Sequence, residues 1–175
     1  MISERDILHI KKIHKSMGIN EEYFKRGIPM YSEANTLIKL NNDIDERSLY
    51  LTIAAANAWI LMKAIAESEN IILKAYSGFR NYEYQRRLVE KRMEKGEPLD
   101  EVLRHLAAPG FSEHHTGCAI DITTDGCRAG SEDFASTEAF KWLSNNSSRF
   151  GFAMSFPKNN SYGLMYEPWH WCYQE

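Results

Sequence analysis

Two short segments in the second half of the chain hold side chains that could do chemistry together. Ser112-Glu113-His114-His115-Thr116-Gly117-Cys118-Ala119-Ile120-Asp121 offers imidazole and carboxylate groups, and Glu167-Pro168-Trp169-His170 adds an imidazole with a carboxylate three residues before it. A catalytic zinc site needs three protein ligands, one position open to water, and a base to take that water's proton. These residue types point to metal-assisted hydrolysis.

Asp121 lies within the apolar run Ala119-Ile120-Asp121-Ile122. Strand alternation puts Ile120 and Ile122 on one face and Asp121 on the other. A carboxylate there must be exposed, paired or metal-bound. Thr116-Gly117 permits a tight bend, so an imidazole upstream could fold back toward Asp121. An exposed Asp on the polar face of a half-buried strand would explain the pattern equally well.

Glu167-Pro168 cannot sit in a helix interior, so Glu167 and His170 are not neighbours on a helix as in an H-E-x-x-H site. An extended or bulged edge strand is expected, with Trp169, Trp171 and Tyr173 on one parity and His170 and Cys172 on the other. An aromatic core strand with one satisfied histidine is the alternative. His9, His14 and His105 stand beside charged residues on expected helices and read as surface groups. Ligand chemistry alone does not separate His114 from His115.

The elements that must position these groups follow from caps and periodicity. Ser3 and Asp6 form a capping box for a helix ending near Gly18, and Asn20 and Gly27 bracket a short second one. Gly27 to Asn42 reads as a loop-rich arm, and Asp45 is expected to cap a long helix running to about Glu69. Ile71 to Ala75 reads as a strand, Asn81 caps a helix to Gly96, and Asp100 opens another before Pro109-Gly110. Strands are expected over Cys118–Thr123, Gly151–Phe156, Tyr162–Tyr166 and Trp169–Tyr173, with a helix capped by Ser136 running to about Asn145. Helices first and a small, mostly antiparallel sheet later imply an α+β domain whose sheet carries the site.

Bulk properties narrow the function classes. With 175 residues, 43% hydrophobic and 26% charged, the chain is one ordinary globular domain. A net charge of −3, with no basic cluster interleaved with aromatics, gives no reason to expect nucleic acid. The most apolar stretch, Leu51 to Ala66, is interrupted by Thr52, Asn57 and Lys63. It falls short of the ~18 apolar residues of a membrane span and reads as a buried helix. The N-terminus has no apolar signal-peptide core, so the chain as written reads as cytoplasmic, with periplasmic or cell-wall action if an export segment is missing. Cys118, Cys127 and Cys172 show no C-x-x-C spacing and read as reduced and structural.

The same segments resemble the signature of the LAS metallopeptidases, named for lysostaphin, the D-Ala-D-Ala peptidases and sonic hedgehog. The pattern S-x-H-x-x-G-x-A-x-D is met by Ser112, His114, Gly117, Ala119 and Asp121, and E-x-W-H by Glu167, Trp169 and His170. A third stretch, Ser77-Gly78-Phe79-Arg80-Asn81-Tyr82-Glu83-Tyr84-Gln85, is similar to S-G-[YF]-R-[ST]-x-x-x-Q of the D-alanyl-D-alanine carboxypeptidase branch, which includes vancomycin-resistance carboxypeptidases. Asn81 departs from the usual Ser or Thr. The resemblance covers about residues 70–175. The chain is accordingly divided into an N-terminal helical extension, 1–45, and a catalytic core, 46–175, of one domain.

The resemblance implies a LAS/hedgehog-like peptidase fold with one catalytic zinc ion held by His114, Asp121 and His170. It implies Glu167 as base, Arg80 at the oxyanion or the substrate carboxylate, and Ser112, Gln85 and Trp169 holding the peptide. The activity it implies is a D,D-carboxypeptidase that removes the terminal D-alanine from peptidoglycan stem peptides or precursors. An L,D-carboxypeptidase on tetrapeptide stems and a lytic peptidoglycan endopeptidase are the enzymatic alternatives. A non-catalytic zinc module is a third, disfavoured by the presence of both Glu167 and Arg80.

Overall fold

The computed structural model describes residues 2–174. Its elements are α1 (Glu4–Met17), β1 (Ile38–Asn41), β2 (Ser48–Leu51), α2 (Ile53–Ser68), β3 (Lys74–Ser77), α3 (Tyr82–Met93), α4 (Leu99–His105), β4 (Ala119–Thr123), α5 (Glu138–Asn146), β5 (Phe152–Met154) and β6 (His170–Tyr173). The fold is α+β. Strands β3-β4-β6-β5 form an antiparallel sheet, and β1 and β2 form a separate antiparallel hairpin. Among the described residues, no helix is long and apolar enough to cross a membrane.

Several caps behave as their side chains require. Ser3 Oγ accepts the Asp6 amide at 3.1 Å to open α1, and Gly18, at φ 75°, closes it. Asn81 Oδ1 accepts the Tyr84 amide at 2.7 Å and opens α3 just after Arg80.

The long helix expected from Asp45 ends near Glu69 as expected but does not start at Asp45. Asp45 instead accepts the Arg47 amide at 2.9 Å and the Arg47 guanidinium at 2.8 Å, in the turn between β1 and β2. Ser48-Leu49-Tyr50-Leu51 then alternates exposed and buried, a strand period, and α2 begins only after Thr52, whose Oγ1 accepts the Ala55 amide. Strand β3 begins three residues later than expected and ends two later, because Lys74 to Ser77 is the stretch that pairs with β4. Thr137 rather than Ser136 caps α5. Tyr162–Tyr166 is a loop, with Gly163 at φ 68° and the Leu164 carbonyl bound at 2.7 Å by Asn160 Nδ2. Strand β6, expected at an edge, lies between β4 and β5.

Two hydrophobic clusters make up the core, and the sheet packs one face on the first of them. Leu51, Trp59, Ile120, Ile122, Leu143 and Trp171 fill the one beneath α2 and α5. Ile10, Ile13, Val89, Val102 and Phe111 belong to the other, which joins α1 to α3 and α4. His14, expected at the surface, is buried in this second cluster among Tyr23, Phe24 and Phe111. It sits on the same helical face as Ile10, Ile13 and Met17, and its Nε2–H donates to the Pro109 carbonyl at 2.8 Å.

Candidate metal centre

Asp121 and His170 are direct cross-strand partners on β4 and β6, and Ser77 faces Asp121 from β3. The sheet register alone therefore sets a carboxylate beside an imidazole, on the face opposite Ile120 and Ile122. His114 arrives from outside the sheet. It lies in the 3-10 turn Glu113–Thr116, which Gly117 ends at φ 67° before the chain enters β4. A side chain at Gly117 would also meet Leu37 Cδ2 at 2.7 Å. Glu167 and His170 bracket a turn with Pro168 at its second position, closed by the His170 amide on the Glu167 carbonyl at 3.1 Å. That turn, not an extended strand, returns Glu167 toward the imidazole.

His114, Asp121 and His170 are buried and offer ligand atoms all within 4.8 Å of one another. His114 Nδ1–H donates to the Gly78 carbonyl at 2.6 Å, which leaves Nε2 as the lone-pair nitrogen. Among the described residues that buried Nε2 has no hydrogen-bond partner, while Asp121 Oδ2 faces it at 3.2 Å. On the other side, Asp121 Oδ1 lies 3.1 Å from His170 Nδ1. Two ligands on one zinc ion at tetrahedral angles stand about 3.3 Å apart, given Zn–N and Zn–O bonds of about 2.0–2.2 Å. The spacing, the orphaned Nε2 and the two-imidazole, one-carboxylate donor set all fit that ion.

His115 is excluded on equally direct grounds. Its Nδ1–H donates to the Arg80 carbonyl at 2.6 Å and its Nε2 accepts the Gly110 amide at 3.0 Å. Both nitrogens are spent on backbone, and burial pushes its pKa down to about 3. His9 and His105 lie outside the cluster, and His14 sits in the helical core.

Charge is arranged around the three groups. Burial, with Arg80 nearby, pushes His114 down to about 4. Burial opposes charge on Asp121 too, but the imidazoles and Arg80 hold its carboxyl well below the usual range. His170 resists burial through hydrogen bonds to Asp121 and Glu113 and rises to about 10. Burial raises Glu167 to about 7, with its carboxylate 4.0 Å from His170 Nδ1.

Arg80 donates from Nη2 to Asp121 Oδ2 at 3.1 Å and from Nη1 to Gln85 Oε1 at 3.0 Å, while its buried Nε has no partner among the described residues. Gln85 spends its amide nitrogen on the Ala107 carbonyl at 2.8 Å, so it holds Arg80 in place. Ser112 and Trp169 line the same groove, about 960 Å³ in volume, together with Tyr50, Tyr84 and Tyr166. One group went unread in the sequence: Glu113, whose Oε2 accepts from His170 Nε2 at 2.8 Å. Its only signal was an acidic residue directly before a candidate ligand.

Residues 48–175 match the family model described as VanY, D-alanyl-D-alanine carboxypeptidase. YodJ of Bacillus subtilis (strain 168) is 36% identical over 129 residues, which is 71% of this chain and 46% of YodJ. The chain spans about half the length of that relative. The solved structure of the LdcB LD-carboxypeptidase superposes with a TM-score of 0.66 at 32% identity, over 83% of this chain and 66% of that one. The vancomycin-resistance D,D-pentapeptidase VanY, solved as a mutant in complex with Zn(II), gives 0.63 at 27% identity, over 83% and 82%. The match runs from β2 to the C-terminus and takes in His114, Asp121 and His170, and the chain belongs to the VanY D-alanyl-D-alanine carboxypeptidase family.

Proposed function

We propose that the protein is a zinc-dependent D,D-carboxypeptidase that hydrolyses the terminal D-alanine of peptidoglycan stem peptides or their precursors. The observation that carries this reading is the convergence of His114 Nε2, Asp121 and His170 Nδ1 beside the Glu167 carboxylate, at the floor of a groove large enough for a short peptide. His114, Asp121 and His170 would hold one zinc ion. When bound, zinc supplies Lewis acidity and makes a water molecule acidic enough to lose a proton near neutral pH.

Glu167 accepts that proton and delivers it to the departing amine, the two halves of general acid–base catalysis. Its burial favours the protonated form, and a nearby cation draws it back toward the carboxylate that a base requires. Arg80, permanently charged and braced by Gln85, faces the negative charge that grows on the scissile carbonyl oxygen or the substrate's terminal carboxylate. Ser112 and Trp169 hold the end of the peptide against the groove wall.

The likeness to LdcB supports a second reading, an L,D-carboxypeptidase acting on tetrapeptide stems. Tri-, tetra- and pentapeptide stems, incubated separately and followed by mass, distinguish the two. Pentapeptide trimmed to tetrapeptide, lost with a chelator and restored with zinc, is the expected result. Trimming of the tetrapeptide alone would select the second reading, and no trimming of any stem would reject both.

A further inference from the structure

None of the roles above uses Glu113, yet it is placed as carefully as the ligands. Its side chain is 14% exposed, and its Oε2 lies 2.8 Å from His170 Nε2. An imidazole that binds a metal through one nitrogen keeps its proton on the other. Asp121 stands at Nδ1, so Nδ1 is the nitrogen facing the site and Nε2 faces Glu113. We propose that Glu113 is a positioning residue of the metal centre: by accepting the His170 Nε2–H bond it fixes that ring's tautomer and rotation and presents the Nδ1 lone pair to zinc. This rests on the zinc-centre reading above.

The other histidine ligand is fixed by a different device. His114 donates from Nδ1 to the Gly78 carbonyl, so its site-facing nitrogen is Nε2. The two rings are thus held as opposite tautomers, one by a backbone carbonyl and one by a carboxylate. A carboxylate acceptor also makes the imidazole a more basic ligand.

Glu113 is in turn braced by chain that precedes the family match. The Tyr31 amide donates to the Gly110 carbonyl at 2.8 Å, and the Ala34 amide donates to the His115 carbonyl at 2.8 Å, bracketing the turn on both sides. The Tyr31 phenol sits beside the Glu113 carboxylate; burial and that negative charge push its pKa above the ordinary range. The loop-rich arm around Tyr31 and Ala34 is therefore part of the site's outer support.

Zinc affinity, measured by competition with a chromophoric chelator, tests the proposal in wild type, Glu113→Gln and Glu113→Leu. Loss of the acceptor in Glu113→Leu should weaken zinc binding by about 10–100-fold. Glu113→Gln keeps an acceptor oxygen at the same reach and should stay within about tenfold of wild type. Long-range ¹H–¹⁵N NMR of the zinc-loaded wild type should show His170 protonated at Nε2 and bare at Nδ1. Wild-type affinity in Glu113→Leu, equal loss in both variants, or a proton on Nδ1 would overturn the proposal. If Glu113→Leu does not fold, the tautomer and the Gln variant decide alone. Failure of the wild type itself to bind zinc would bring down the metal centre as well, and is read separately from the variants.

Discussion

Exchanging His115 for Phe separates the two adjacent histidines more sharply than any other substitution. His115 is fully buried, and its ring meets Tyr82 edge-on with centroids 4.7 Å apart. Phenylalanine keeps that ring and that contact but removes both nitrogens. The Gly110 N–H and the Arg80 carbonyl then lose their partners. Each buried group left unpaired costs about 1–3 kcal/mol, so the pair costs roughly 2–6 kcal/mol. In a domain of this size that corresponds to a drop in Tm of roughly 4–24 °C. Zinc binding survives wherever the fold does, because no ligand has been touched. His114→Phe should do the opposite: zinc is lost, and the metal-free protein melts closer to wild type because only the Gly78 carbonyl is stranded. Thermal melts with and without zinc, paired with metal analysis after dialysis, read both effects. A zinc-induced rise in Tm should be present in wild type and His115→Phe and absent in His114→Phe. The reverse pattern would refute the ligand assignment.

Other expectations follow from the same geometry. Glu167→Gln should retain one zinc per chain while kcat/KM falls by about 10²–10⁴, the usual share of a general base; loss of metal in that variant would make Glu167 a ligand instead. At Gly78 a Cβ would stand 2.7 Å from the Tyr50 carbonyl oxygen and 3.0 Å from Leu49 Cγ. Gly78→Ala should therefore destabilise by about 1–3 kcal/mol through overpacking and weaken zinc by shifting the carbonyl that orients His114, both checked by denaturation and chelator competition. His14 is lowered from 6.5 by burial, so below pH 6.5 the unfolded chain binds more protons than the native one and stability falls with pH. Metal-free His14→Phe should lose less stability than wild type between pH 7 and 5, and parallel curves for the two proteins would exclude His14 as a source of acid sensitivity.

The convergence of Asp121, His170 and Glu167 was legible in residue type and spacing, and the structure brings these side chains together. Ligand chemistry alone left His114 and His115 open and only the motif resemblance favoured His114; the physical basis of that choice was not legible. It turns on which ring finds the Arg80 carbonyl and the Gly110 amide, and those partners come from separate parts of the chain. Glu113 was missed for a similar reason: an acid beside a histidine reads as a solvated charge until β6 carries His170 across to it. The burial of His14 could have been read, since positions 10, 13, 14 and 17 trace one helical face. The β1–β2 hairpin was hidden by the apolar run that follows it. Leu49 and Leu51 continue smoothly into α2 in composition, and only their period of two, against Ser48 and Tyr50, marks them as strand. The turn at Glu167-Pro168 shows how a correct exclusion can still leave the wrong element: proline ruled out a helix but did not distinguish a strand from a turn.

A crystal of the zinc-loaded protein, with anomalous data collected across the zinc edge, tests the central claim most directly. The account predicts one peak per chain, about 2.0–2.2 Å from His114 Nε2, an Asp121 oxygen and His170 Nδ1, with Glu167 beside it and His115 away from it. A peak bound through His115, or the absence of any peak among the three groups at saturating zinc, would contradict it.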